Sequence, residues 1–305
     1  MKKILILVDK VGPKKELFAE LVAKRLSGKN VQIALGRFSD LYFELDSDNT
    51  IVNIEDKPIT DFDLVYFRRA GDKFSVLAGT LAFCLKRLGV KFIDSSWDSI
   101  GPLGSKFTSL VKLAGSGLPI FHTIYVWQSN IENYQRKLVD KLGLPLVAKE
   151  LSTQRGKGVY LINSLADFSI LPRLDSKKKD NQYMFQKFIE IASEYRILVL
   201  GDKSRVWEKK VVTKKGEFRH NIALGASEEF LPIAKIPDNI SKIATQAASL
   251  LGLEIAGVDV AIEGKTGKAF LVEVNRGPGI TYDTTLSPEI DEIAKFLGKE
   301  AKANK

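Results

Sequence analysis

One cysteine and two histidines are found in 305 residues. The lone Cys84 excludes an internal disulfide framework and a cysteine metal cluster. Its setting in the apolar pattern LAFCLKRL predicts a buried structural thiol. His122 and His220 have no serine, cysteine or carboxylate placed around them in a recognisable triad, so neither is read as a catalytic base. No run of 18 apolar residues exists, which leaves no helical membrane span. The opening MKKILILV stops at Asp9 and Lys10, too short for a secretory apolar region, and reads as a first buried strand. A cytoplasmic protein is the expectation. Internal repeats are also absent.

Hydrophobic residues make up 45% of the chain, enough for a sizeable core. The net charge of +9 leaves nucleic acid, an acidic membrane surface or an anionic small substrate open as partners. The basic residues are dispersed. The densest stretch, Lys203 to Arg219, lacks the interleaved aromatics of a single-strand binding platform. It is read as a phosphate-facing or acid-facing loop with solvated lysines, and neither specific nucleic-acid binding nor membrane association is expected. No oligomeric state is written in the pattern.

The first hundred residues alternate strand and helix, with strands at 2–8, 31–35, 62–68 and 90–94 and helices at 14–26 and 75–88. Such alternation implies a parallel sheet covered by helices. Leu17, Phe18, Leu21, Val22 and Leu26 form the expected apolar stripe of the first helix. Arg68 and Arg69 fall at a strand C-terminus, where ligands of such sheets sit. The expected division is an open α/β domain over 1–100, a central part over 101–181, a C-terminal part over 182–298 and a basic tail over 299–305. The central part is expected to hold a helix at 103–114, a strand at 122–126, a helix at 130–142, strands at 144–150 and 159–162, and a short helix at 166–173. The C-terminal part is expected to be α+β, with strands at 183–189, 194–200 and 204–212, a basic loop, a helix at 239–251, a hairpin, and a helix at 288–297.

That hairpin, AGVDVAIEGKTGKAFLVEVNRGPG (256–279), is the most informative segment. Two short β runs flank a turn bearing Gly and Lys. Glu273 and Asn275 lie two apart on one strand and share a face, while Val272 and Val274 take the other. Carboxylates in such apolar surroundings need a compensating charge. Asp259, Glu273 and Asn275 supply oxygen ligands of the kind magnesium prefers; solvated acids on a polar edge hairpin are the plain alternative. Sharing one metal requires Asp259 directly opposite Glu273, with Glu263 facing Ala269 across a loop of about five residues. A slip of one residue would send the two acids to opposite faces.

Other pieces are weak singly. Lys149 ends a strand before a loop carrying Gly156 and Gly158, a combination that suits phosphates. Lys106 opens a helix after Gly104 and Ser105. The segment FQKFI, followed by Glu194 and Arg196, suggests one wall of a nucleotide pocket, although by themselves those two residues read first as cross-strand ion pairing. FRHN places Arg219, with its bidentate guanidinium, next to Asn221.

Taken in order, these pieces resemble the ATP-grasp superfamily, and most of all its RimK-like branch, whose best-known members attach glutamates to a ribosomal protein. The matching motifs FRHN, AGVDV and EVNxxPG lie within residues 100 to 280. The resemblance implies an ATP-grasp fold preceded by a small open parallel-sheet domain. It implies ATP phosphates held by Lys106 and Lys149 beneath the loop from Thr153 to Val159, which includes Gly156 and Gly158. The backbone of Gln186, Lys187, Phe188 and Ile189 would hold adenine, Glu194 the ribose, and Asn221 would complete the nucleotide site. Asp259, Glu273 and Asn275 would bind two magnesium ions, with manganese as a substitute. Arg219 would stabilise the transferring phosphoryl group, and Arg196 and Asn275 stand beside it as candidate catalytic residues. The implied activity is ADP-forming ligation of a carboxylate to an amine through an acyl phosphate, on an amino acid or an acidic peptide or protein tail. Arg68, Arg69 and Arg276 would suit an acidic acceptor. A catalytically silent ATP-binding regulator of the same fold is the alternative.

Overall fold

The computed structural model describes residues 1–45, 50–55, 57–71, 74–98, 106–113, 116–126, 131–151, 158–171, 183–211 and 227–302. Lys2–Val8 (β1) is apolar on both faces, as a strand covered on both sides must be. It is followed by α1 (Pro13–Leu26), β2 (Val31–Arg37), β3 (Leu41–Leu45), β4 (Thr50–Ile54), β5 (Lys57–Pro58), β6 (Leu64–Arg69), α2 (Ser75–Leu88) and β7 (Lys91–Ile93). The sheet runs β2-β1-β6-β7, all parallel. Strand alternation divides its core: Ile4, Ile6 and Val8 pack with α1, while Leu5 and Leu7 pack with Ala78, Leu81 and Leu85 of α2. Cys84 is buried in the second cluster, and burial raises its thiol pKa. Two expectations change. Leu17 is exposed, and the buried stripe of α1 is Phe18, Ala19, Val22 and Leu26. The segment between β2 and β6 forms a separate antiparallel sheet, β3-β4-β5, which seats Val52 and Ile54 on the α2-side core.

The central sheet is antiparallel. After α3 (Lys106–Leu113) come β8 (Thr123–Val126), α4 (Ile131–Leu142), β9 (Leu146–Glu150), β10 (Val159–Ile162) and β11 (Tyr183–Lys187), in the order β10-β9-β11-β8. One face carries Leu146, Ala148, Tyr183 and Phe185 against Ile131 and Leu138 of α4. On the other face Val147 and Met184 are buried yet belong to none of the four apolar clusters. The helix expected at 166–173 is a 3-10 helix, Leu165–Ile170, closed by a capping box of Ser164 and Asp167.

A second antiparallel sheet, β14-β13-β12-β15-β16, follows. Its strands are β12 (Ile191–Leu200), β13 (Lys203–Val211), β14 (Ser227–Leu231), β15 (Ile255–Glu263) and β16 (Ala269–Asn275), with α5 (Asp238–Leu251) before β15 and α6 (Glu289–Lys302) at the end. β14 has no counterpart among the expected strands. Ile197, Val199, Val258 and Val260 pack on Ile243 and Ala247 of α5. The opposite residues, Leu198, Leu200, Val206 and Ile255, pack on Ile290, Ile293 and Leu297 of α6 and merge with the core of the parallel sheet. Gly298 permits that merger, because a Cβ there would lie 2.7 Å from Leu26 Cδ2. No described helix is long and apolar enough to cross a membrane.

Candidate functional site

The face of the C-terminal sheet that packs on α6 changes character along its strands. β12 presents Leu200 and Leu198, then Arg196 and Glu194. β13 presents Val206, then Glu208 and Lys210. β15 presents Ile255 and Gly257, then Asp259. The apolar half builds the core, and the polar half brings charges together by register. Arg196 stands opposite Asp259 on one side and Glu208 on the other, and Glu194 stands opposite Lys210. Asp259 is 4% exposed. Arg196 grips it in a fork, donating from Nε to Oδ1 at 2.9 Å and from Nη2 to Oδ2 at 3.0 Å. The Lys210 ammonium is 2.9 Å from Oδ2 and also pairs with Glu194. Burial pushes the Asp259 pKa up, but Arg196 and Lys210 outweigh it and hold the pKa at about 2. Burial outweighs Lys210 at Glu194, whose pKa is raised. Glu194 and Arg196 therefore do not pair with each other; each is held from a different neighbouring strand.

The hairpin meets its central requirement. Asp259 is opposite Glu273, Val258 opposite Val274, and Gly257 opposite Asn275. The outer half departs from expectation: Ala269 faces Ile262 rather than Glu263, because Val272 is an extra residue in β16. Glu263 instead donates its N–H to Lys268 O at 2.9 Å, closing the turn. The bulge absorbs the one-residue slip before it reaches the acids. Glu273 and Asn275 are half-buried, and Glu273 forms no ion pair with a described residue. Two carboxylates and an amide on adjoining strands suit a hard divalent cation. Asp259 would have to share its oxygens with Arg196 and Lys210 to take part.

The residues after Asn275 fold back over the sheet. Gly257 makes room, since a Cβ there would lie 2.6 Å from Pro278 Cβ. Gly257→Ala should overpack this contact and cost about 1–3 kcal/mol in denaturant unfolding; unchanged stability would show that Pro278 is not held there. The parallel sheet clamps the same loop from its strand ends. Arg68 donates from Nη2 to Pro278 O at 2.9 Å and lies over the Phe18 ring. Arg276 lies 4.5 Å above the Trp97 ring, with Nε 2.7 Å from Asp94 Oδ2, an ion pair without hydrogen-bond alignment. Burial raises the Asp94 pKa to about 6, Arg276 working against it. Arg68 and Arg276, expected to meet an acidic acceptor, are thus engaged within the protein; Arg69 is exposed.

Across from this face lies the unclustered side of the central sheet. Lys149 sits on β9 between Val159 and Met184, with its Nζ 5.8 Å from the centre of the Phe121 ring. Phe121 in turn stacks on Phe270 of β16, with ring centres 5.2 Å apart, which brings this side of the central sheet against the C-terminal sheet. Gly158 is left-handed at φ 68°, and its carbonyl accepts from Glu150 N at 2.8 Å. Gln186 is buried, with Nε2 donating to Thr123 Oγ1 at 2.8 Å. Lys187 is exposed and donates its N–H to His122 O, while Phe188 and Ile189 form the half-buried link into β12. Lys106 begins α3, but its side chain lies outside the described residues, as do Gly156, Arg219 and Asn221.

Sequence reasoning missed four residues. Lys210, expected among solvated lysines, is 5% exposed and is the second cation on Asp259. Glu208, Glu228 and Glu289 gather beside it. Burial raises Glu208 to about 8 and Glu289 to about 7, with Arg196 and hydrogen bonds from Thr281 and Ser287 acting in the opposite direction. The alternation in VWEKK could have placed Glu208 and Lys210 on one face. Nothing local tells which face is covered.

Two antiparallel sheets facing each other behind a parallel-sheet domain place the chain, by fold, with the ATP-grasp ligases. The ligase PsnB, solved with a phosphomimetic variant of its minimal precursor, Mg and ADP, superposes with a TM-score of 0.72 over 99% of each chain, at 16% identity. A "Probable alpha-L-glutamate ligase" of Syntrophotalea carbinolica is 27% identical over 86% of this chain and 84% of its own length. A protein of the same name from Legionella pneumophila (strain Corby) is 30% identical over 80% and 79%. Residues 104–296 match the family model of the RimK-like ATP-grasp domain, and the chain belongs to that family.

Proposed function

We propose that the protein is an ATP- and Mg-dependent, ADP-forming ligase that joins a carboxylate to an amine through an acyl phosphate. The observation that carries the reading is Asp259 opposite Glu273, with Asn275 opposite Gly257, on the sheet face where Arg196 and Lys210 hold the Asp259 carboxylate. The relatives named as glutamate ligases, and PsnB solved with a precursor peptide, support an amino acid or an acidic peptide tail as substrate.

In this reading Lys106 and Lys149 draw the ATP phosphates into the gap between the sheets, beneath the loop containing Gly156 and Gly158. The link from Gln186 through Lys187 and Phe188 to Ile189 lies along adenine, with Glu194 and Asn221 nearby. Asp259, Glu273 and Asn275 would hold two magnesium ions, replaceable by manganese, which when bound would neutralise phosphate charge. The substrate carboxylate attacks the γ-phosphate, and the amine then displaces phosphate. No protein nucleophile is needed. The protein's part is positioning and charge: Arg196 fixes the Asp259 carboxylate in one orientation, Lys210 offsets its charge, and Arg219 faces the charge that develops on the phosphoryl group.

The test is ADP release from Mg-ATP against a panel of amino acids and acidic peptides. ADP release that depends on both a carboxylate and an amine is expected. Tight ATP binding with no release on any member of the panel would identify a nucleotide-binding regulator instead.

A further inference from the structure

We propose that Glu208, Glu228 and Glu289 form the pocket that receives the protonated amino group of the amine substrate. This deepens the ligase reading above and rests on it. On β14, Glu228 stands opposite Lys210 and so lies diagonally across from Glu208 on the same face, and Thr281 links Glu228 to Glu289 through its hydroxyl and N–H. The neighbouring cations are committed elsewhere, Arg196 to Asp259 in a two-point fork and Lys210 to Glu194 and Asp259. Among the described residues, negative charge on this face therefore exceeds the positive charge set against it, which is costly unless a cation enters or protons stay on the acids.

A second observation points to a ligand. Glu208 is 3% exposed, and its Oε1 has no hydrogen-bond partner. Buried acceptors are almost always satisfied, so an orphan beside two further acids marks a missing donor. The other two acids are already aimed. Glu289 accepts from Thr281 N at 2.8 Å and Ser287 Oγ at 3.1 Å, and Glu228 accepts from Thr281 Oγ1. Among the described residues no group of three His, Cys, Asp or Glu forms a metal site, and the occupant is taken as an organic cation. An ammonium group, with three diverging donors, suits acceptors spread in this way.

Placement connects the pocket to the reaction. Glu208 lies in the same cross-strand row as Arg196, Asp259 and Glu273. It is two strand spacings from Asp259, about 10 Å. Thr281, which holds both Glu228 and Glu289, follows Pro278 in the loop leaving the proposed metal strand. An amine seated there would approach from the side of the sheet opposite the Glu273 edge, leaving one proton on a carboxylate of the pocket before its lone pair attacks the acyl carbon and phosphate departs.

The experiment compares two nucleophiles. Wild type, Glu208→Gln and Glu289→Gln are supplied with Mg-ATP, a peptide ending in glutamate, and one of two amines. The first is the amino acid that supports most ADP release. The second is hydroxylamine, which is uncharged at neutral pH and traps acyl phosphate as a hydroxamate. In both variants the ratio of kcat/KM for the amino acid to that for hydroxylamine should fall about 10- to 100-fold, as loss of one charge-assisted hydrogen bond predicts. A ratio equal to wild type in variants whose circular dichroism shows them folded overturns the pocket. If Glu208→Gln does not fold, Glu289→Gln carries the comparison. If wild type yields neither ADP nor hydroxamate, the ligase reading fails on its own, and the pocket is then read without turnover. Propane-1,3-diammonium chloride should raise the wild-type melting temperature above its value in sodium chloride of equal ionic strength; no difference overturns the pocket.

Discussion

Replacing Glu273 by Gln should lower amine-dependent ADP release by ~10²-fold or more, the scale on which removing one preorganised charge-stabilising group acts. The substitution keeps shape and removes charge at the one carboxylate of the Asp259–Glu273 pair that no described residue neutralises. The magnesium concentration for half-maximal rate should rise with it. Stability should move by no more than about 0.5 kcal/mol, because Glu273 is half-buried and outside the ion-pair network. Steady-state kinetics across a magnesium series, together with a melting curve, check both halves. Wild-type turnover in the variant would sink the metal assignment while leaving the fold untouched.

Arg196→Ala should act on the opposite quantity. It leaves Asp259, 4% exposed, with Lys210 as its only remaining ion-pair partner among the described residues, and Lys210 is shared with Glu194. Breaking a buried pair by removing one side costs about 3–5 kcal/mol, measurable by denaturant unfolding. Arg196→Lys should recover part of the loss but not all, since an ammonium cannot reproduce the two-point fork. The pH dependence has a definite sign. The folded pKa of Asp259, about 2, lies below its ordinary value of 3.8, so its contribution is present above about pH 4 and fades as pH falls toward 2. In Arg196→Ala that acid limb should be shallower. An unchanged limb and unchanged stability would mean that the fork contributes nothing to holding Asp259.

The two substitutions separate neighbouring carboxylates whose surroundings differ. Asp259 is placed where charge is already balanced, while Glu273 is placed where it is not. Strand alternation makes both acids visible in the amino-acid sequence, and their direct opposition follows as a demand of the metal hypothesis. The bulge at Val272 follows from neither. It depends on how the turn at 264–268 closes, through Glu263 N to Lys268 O and Gly267 N to Glu263 O. The parallel sheet was legible because its strands are apolar on both faces and separated by helices with their own stripe. The β3-β4-β5 sheet and β14 were not, because short mixed runs such as SEEFL carry no periodicity strong enough to be told from a loop.

The amino-acid sequence by itself determined which residues are available for chemistry and which of them share a strand face: Glu194 with Arg196, Glu208 with Lys210, Glu273 with Asn275. It also determined the order of motifs that places the chain in its family. Only the tertiary structure decided what each charge meets. Arg196 and Lys210 reach Asp259 from strands 63 and 49 residues earlier in the chain, and the charge of Glu289 acts on Glu208 from the start of the last helix. Arg68 and Arg276 are drawn into the clamp on Pro278 and Asp94 by contacts between sheets distant in sequence. The physical reason is the same throughout. A period of two along a strand fixes which side chains are neighbours on one face, but the partners across that face come from sheet order and register, and those are set by burial of the whole chain.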